Sequence, residues 1–258
     1  MSTLNDKRLA AAALGDMKEV ASLLALGADP GHKNSQPLSK AAYHGNVDCV
    51  KLLILVSDPK SAHSRALCDA AQNGHADCVK LLIPVSDPKS IDSLALCLAA
   101  ENGHSECVKL LIPVSDPKAE CSYALCRAAI AGHAECVKLL IPVSEPKADN
   151  SCALRSAARK GHPKCVQLLI PSSHPLADCH GLLAPPLALG HAEVVSILLA
   201  REPVLLEGSG LFEARLSAQA RQQVELFMLL SSIIDHRALS ESSPSAHPSR
   251  TPSLPCRL

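Results

Sequence analysis

Histidine and cysteine recur along this chain at spacings that could hold a metal. His75 and Cys78 form an H-x-x-C pair with Cys68 on the segment before it, and the trio returns as Cys97, His104, Cys107 and as Cys126, His133, Cys136. Imidazole and thiolate are the ligands zinc takes in closed tetrahedral sites. Each trio, however, brings three ligands and no evident fourth, and repetition would make a ladder of incomplete sites. The other reading makes each cysteine a small buried hydrophobe and each histidine a backbone partner around a turn. We adopt that reading and keep a metal-binding or thiol-redox ladder as the alternative. Cys121 and Cys152 sit in connectors and are expected to be the more exposed, more reactive thiols.

Other chemistry is hard to find. There is no G-x-S-x-G elbow, no G-x-x-x-x-G-K-[S/T] phosphate loop and no H-E-x-x-H pair. The expectation is a protein without catalysis, cofactor or metal. Lys60, Lys89, Lys118 and Lys147 form a basic series, but Asp58, Asp87, Asp116 and Glu145 stand two positions before each of them. Those carboxylates cancel most of the field, which leaves a solvated edge.

The whole chain is neutral, with 25 Lys and Arg against 25 Asp and Glu, so no overall field draws it to nucleic acid or an anionic membrane. Four aromatic residues, Tyr43, Tyr123, Phe212 and Phe227, offer few stacking platforms for bases. Leu, Ile, Val, Ala and Cys must therefore build the core. The start Met1-Ser2-Thr3-Leu4-Asn5-Asp6-Lys7 lacks a leader's apolar stretch, and no apolar run approaches the ~20 residues of a membrane span. A reducing cytoplasm is expected, with no membrane or nucleic-acid partner.

These residues are positioned by an internal repeat. Gly45, Gly74, Gly103, Gly132, Gly161 and Gly190 each follow the last by 29 positions, and the stretch Ala66–Lys89 returns nearly unchanged as Ala95–Lys118. Each unit reads as two short helices, the first from about Arg65 to Gln72 and the second from about Ala76 to Ile83. Ser64, Ser93, Ser122 and Ser151 are placed to cap the first helix. Gly74 supplies a left-handed turn, Pro84 ends the second helix, and the connector P-V-S-D-P-K should be a stiff extended turn. A helix pair this short cannot bury its apolar face alone, so the units must stack into an all-α solenoid.

The motifs G-H-x-[D/E]-C-V-K-L-L-I, A-L-C-x-A-A and Gly27-Ala28-Asp29-Pro30 resemble the ankyrin repeat. Gln36-Pro37-Leu38-Ser39-Lys40-Ala41 stands where that family has T-P-L-H-x-A. The resemblance implies a binding module whose inner helices line a concave face. Ankyrin units run to about 33 residues, and the shorter repeat here removes connector, so regular β-hairpin fingers are not expected beyond the first unit. Near-identical units with proline connectors resemble bacterial members, which implies a bacterial source. A host-directed effector that occludes a host protein is a further expectation from that resemblance.

Seven such units occupy residues 2–204. In the seventh, Pro185 and Pro186 should break or shorten the first helix. A capping segment at 205–239, with one amphipathic helix from Ala218 to Ile234, and a disordered Ser/Pro-rich tail at 240–258 complete the expected organisation.

Function is sought where the units differ. After A-L-C, or A-L-R in the sixth unit, come Asp69, Leu98, Arg127 and Ser156. Before each glycine come Tyr43 and His44, Gln72 and Asn73, Glu101 and Asn102, Ile130, and Arg159 and Lys160. Positions three and four apart share a helix face, so these residues form one stripe across the first helices. Mixed charge with a few apolar anchors suits a protein partner bound by a monomer.

Overall fold

The computed structural model describes residues 2–173 and 179–201. Helices α1 (Ser2–Leu14) and α2 (Met17–Ala25) form the first unit, and α3 (His32–Tyr43) and α4 (Val47–Ile54) the second. The third and fourth are α5 (Ser61–Gln72) with α6 (Ala76–Leu82) and α7 (Ser90–Glu101) with α8 (Ser105–Leu111). Then come α9 (Ala119–Ala131) with α10 (Ala134–Leu140), α11 (Ala148–Lys160) with α12 (Pro163–Leu169), and α13 (Cys179–Leu189) with α14 (Ala192–Arg201). First helices pack on first helices and second on second, so the chain is a two-layer all-α solenoid. No strand occurs among the described residues, and none of their helices is long and apolar enough to cross a membrane.

The core repeats with the sequence. Leu67, Leu96, Leu125 and Leu154 from the first helices, and Leu82, Leu111, Leu140 and Leu169 from the second, are wholly buried. The paired alanines, such as Ala70-Ala71 and Ala99-Ala100, are fully buried as well. A larger side chain there would push neighbouring first helices apart.

Adjacent units are locked through the glycine turns. His75 Nε2 donates to the carbonyl of Tyr43 at 3.0 Å, and His104 and His162 do the same to Gln72 and Ile130 at 2.9 Å. Asn46 takes this place in the second unit and donates to Ala12 and Ala13 at 2.7 and 2.9 Å. The His104 ring lies so close that a Cβ on Gly74 would sit 2.5 Å from its Nδ1, and Gly74 also has φ +77°. Only glycine satisfies both demands.

Four expectations need correction. The connector serines do not cap their own helices, because Ala62, His63 and Ser64 form a left-handed turn and the right-handed helix starts after them. Instead Ser64 Oγ accepts from the backbone N–H of Asp87 in the next unit at 2.8 Å, as Ser93 does from Asp116 and Ser122 from Glu145. The connector is accordingly a folded turn rather than an extended one. The Asp87 carboxylate accepts from Lys89 N at 3.2 Å and Asp116 from Lys118 N at 3.0 Å, which closes an Asx turn. The first unit has no hairpin finger either: Gly31 N donates to Asp29 Oδ1 at 3.0 Å in the same kind of turn, and the buried Arg8 guanidinium donates to the carbonyls of Ala28 and Asp29.

Finally, α13 runs through Pro185 and Pro186. Packing against α11 and α14 holds it, Pro186 is buried, and its carbonyl accepts from His191 N at 2.9 Å. The expected helix at 218–234 and the tail lie outside the described residues.

Gly74→Ala should destabilise the fold by about 2–4 kcal/mol, combining left-handed strain with the clash against His104. In a His104→Ala background the same change should cost only the strain, about 1–2 kcal/mol. Urea unfolding of the four chains checks this, and equal penalties in both backgrounds would refute the packing of the His104 ring on this glycine turn.

Candidate functional site

The face that varies between units is carried by the right-handed parts of α3, α5, α7, α9 and α11. In the right-handed part of α5, positions 65 and 72 are exposed and 69 is half-buried, and their spacing of four and three residues places them on one side of the helix. Three rows therefore cross the stack. They are Gln36, Arg65, Leu94, Tyr123 and Cys152; Lys40, Asp69, Leu98, Arg127 and Ser156; and Tyr43, Gln72, Glu101, Ile130 and Arg159. The histidine bonds fix the carbonyls of Tyr43, Gln72 and Ile130 in the third row.

Most of the expected residues are accessible. Tyr43, His44, Gln72, Asn102, Arg159 and Lys160 are exposed, and Asp69, Asn73, Leu98, Glu101, Arg127 and Ile130 are half-buried. Ser156 is the exception and must be removed from the exposed set. Its short side chain is 7% exposed, with Oγ 3.9 Å from Cys152 Sγ. Asn73 and Asn102 are already engaged, donating to the carbonyls of Asp69 and Leu98 at 2.8 and 2.9 Å. The Tyr43 and His44 rings meet edge to face at 5.0 Å.

Charges in the middle of the face pair across and along helices. Arg127 bonds to Glu101 of the preceding unit and lies 5.6 Å from the centre of the Tyr123 ring. Arg65 Nε stands 3.6 Å from Asp69 Oδ2. Burial still holds the Asp69 carboxyl above the usual carboxylate range, against the pull of Arg65. Between α3 and α5 the face sinks into a cleft of about 420 Å³, walled by Lys33, Lys40, Tyr43, Arg65, Asp69 and Gln72 among others. Three of these were named from sequence. Lys40 was missed because its unit reads P-L-S rather than A-L-C, although it stands 29 positions before Asp69. Arg65 was missed because the first row lies one helical turn earlier, at what was taken for the helix start.

The cysteines and histidines do not converge. Among the described residues no group of three or more His, Cys, Asp or Glu is placed to hold a metal. His75, His104 and His162 each spend one ring nitrogen on a backbone carbonyl. Cys78, Cys107, Cys136 and Cys165 are wholly buried, and burial pushes each thiol up to about 11. Burial, with neighbouring Asp69, pushes Cys68 up to about 12. Such thiols are poor nucleophiles and poor metal ligands. Cys121 is exposed and Cys152 half-buried.

A family model for ankyrin repeats matches three times, at residues 9–93, 96–180 and 125–207. The chain belongs to the ankyrin repeat family. Among solved structures, the human ASB11 ankyrin repeat domain is similar at 22% identity with a TM-score of 0.55, over 64% of this chain and 82% of that one. An ankyrin repeat domain from Acinetobacter baumannii AYE is similar at 23% identity with a TM-score of 0.53, over 65% of this chain and 98% of that one. At these identities the likeness speaks for the fold alone. No curated protein sequence matches the chain significantly. Ankyrin repeats are generally protein–protein interaction modules.

In a Cys179→Ser, Cys256→Ser background, Ellman's reagent should label Cys121 rapidly and Cys152 more slowly, and reach the eight buried thiols only on unfolding. The buried thiols hold their protons more tightly folded than unfolded. Their contribution to stability is therefore complete below the ordinary thiol pKa of ~8.5 and is lost as pH rises toward their folded values. The urea midpoint should fall between about pH 9 and pH 11. Rapid labelling of the native core, or a flat midpoint, would contradict this placement.

Proposed function

We propose that this ankyrin repeat protein works as a non-catalytic scaffold or occluding module, holding a protein partner on the three-row face of its first helices. The observation that carries the reading is the contrast between faces. Packing and hydrogen-bonding positions repeat unit after unit, whereas the exposed rows run from Lys40 and Asp69 through Leu98 and Ile130 to Arg159 and Lys160. A repeated uniform ligand would call for a repeated face. A partner with its own irregular surface calls for this one.

The reading places the molecule in a reducing compartment as a monomer. The ten described cysteines are unpaired, and eight of them are buried as thiols. Half-buried Leu98 and Ile130 can anchor the partner, while rim charges set its register.

The test is capture from lysate by the natural chain and by Glu101→Arg, Arg127→Glu, Arg159→Glu, matched in helical circular dichroism. Exchanging Glu101 and Arg127 keeps their ion pair while reversing its field, so stability should hold. The expected outcome is one protein retained by the natural chain and bound roughly tenfold or more weakly by the variant once purified. Equal binding by both chains would move the site to the connectors or the C-terminal segment.

A further inference from the structure

We propose that the cleft between α3 and α5 receives a carboxylate side chain from an acidic segment of the partner. This rests on the reading above and names the partner's chemistry at one point of the face. Three cations line the cleft, Lys33, Lys40 and Arg65, against one anion, Asp69. Arg65 already faces Asp69 at 3.6 Å, and among the described residues neither lysine makes an ion pair. The Lys40 ammonium lies 5.8 Å from the centre of the Tyr43 ring, which holds it at the cleft wall. The cleft thus carries a surplus of two positive charges with its only carboxylate engaged.

The volume of about 420 Å³ is within the ~300–1,000 Å³ of pockets that enclose small groups. Its lining also holds an unanswered acceptor. Gln36 Oε1 is buried without a hydrogen-bond partner, and a donor that reaches it, such as a peptide N–H, would answer it. Asp69 in the same wall acts against a multiply charged anion while tolerating one carboxylate between the lysines. Beyond the cleft the face turns apolar at Leu94 and Leu98, both half-buried. The favoured segment is therefore acidic with an adjoining apolar residue, rather than a polyphosphate or a nucleic-acid backbone.

The experiment titrates the ¹⁵N-labelled full chain with acetyl-Glu-Glu-Leu-Glu-Glu-amide, with the peptide carrying Gln for every Glu, and with inorganic phosphate. The expected result is that the glutamate peptide shifts amides of residues 33–43 and 62–72 while the glutamine peptide and phosphate do not. Lys40→Glu with Arg65→Glu should weaken the peptide by roughly tenfold or more, and added salt should weaken it further. Both side chains are exposed, and Lys33→Ala alone gives a second, milder variant with a smaller loss in the same direction.

The proposal is overturned if the peptide shifts nothing, if it shifts only amides around Arg159, if phosphate shifts the cleft as strongly, or if the double reversal leaves affinity unchanged. A partner captured by the natural chain, lost by the Glu101, Arg127, Arg159 variant and indifferent to Lys40→Glu with Arg65→Glu would leave the scaffold reading standing and remove the cleft from it.

Discussion

A pair of helices seven to thirteen residues long has no interior, and everything in this molecule depends on how firmly one pair is seated on the last. The seat is the histidine ring resting on the glycine turn of the preceding unit, with its Nε2–H given to that unit's carbonyl. The hydrogen bond alone contributes about 1 kcal/mol net. Its geometry contributes more, because it brings first helices close enough for alanine pairs to bury completely and second helices close enough for Val79, Val108 and Val137 to do the same. Enlarging the glycine or removing the ring therefore disturbs a packed interface on both sides.

The opposite end of each unit solves the same problem without strands. Ser64, Ser93 and Ser122 reach forward to a backbone N–H of the next connector, while Ser57, Ser115 and Ser144 reach back to the carbonyls of Pro30, Pro88 and Pro117. A two-way ladder of side-chain to backbone bonds takes the place of a β-hairpin finger. It requires three consecutive left-handed residues in the connectors that lead into the right-handed parts of α3, α5, α7, α9 and α11, a conformation costly for side chains other than Asn and Asp. Proline on one side and the packed helix on the other hold the turn in place.

Much of this was legible in the sequence because a repeat multiplies every signal: the period, the two helices, the glycine turn and the buried face all follow from residues that return each 29 positions. What escaped depended on contacts between units. A serine ahead of a helix reads as a cap, and only the next connector's N–H reveals a different partner. Pro185 and Pro186 read as breakers because propensity is local, whereas α11 and α14 hold that helix from outside. On the variable face, Lys40 was hidden by an atypical motif and Arg65 by its place at the helix start. Ser156 had the right register but too short a side chain to reach solvent.

The division between a fixed frame and a free face also determines what kind of recognition is available. In the centre, Arg65 pairs with Asp69 and Arg127 with Glu101, so these charges are largely neutralised. Lysines 33 and 40 at one end, and Arg159 and Lys160 at the other, bracket this neutral centre with its half-buried Leu94, Leu98 and Ile130. Exposed charges act over only about a Debye length, ~8 Å at physiological salt, so the two ends act separately. A partner matching one end gains little from the other unless its own charges fall in register across the apolar centre. Because the histidine seats fix the spacing between units, that register is set by the frame while the face supplies the signs. Selectivity then comes from the mismatch penalty as much as from attraction.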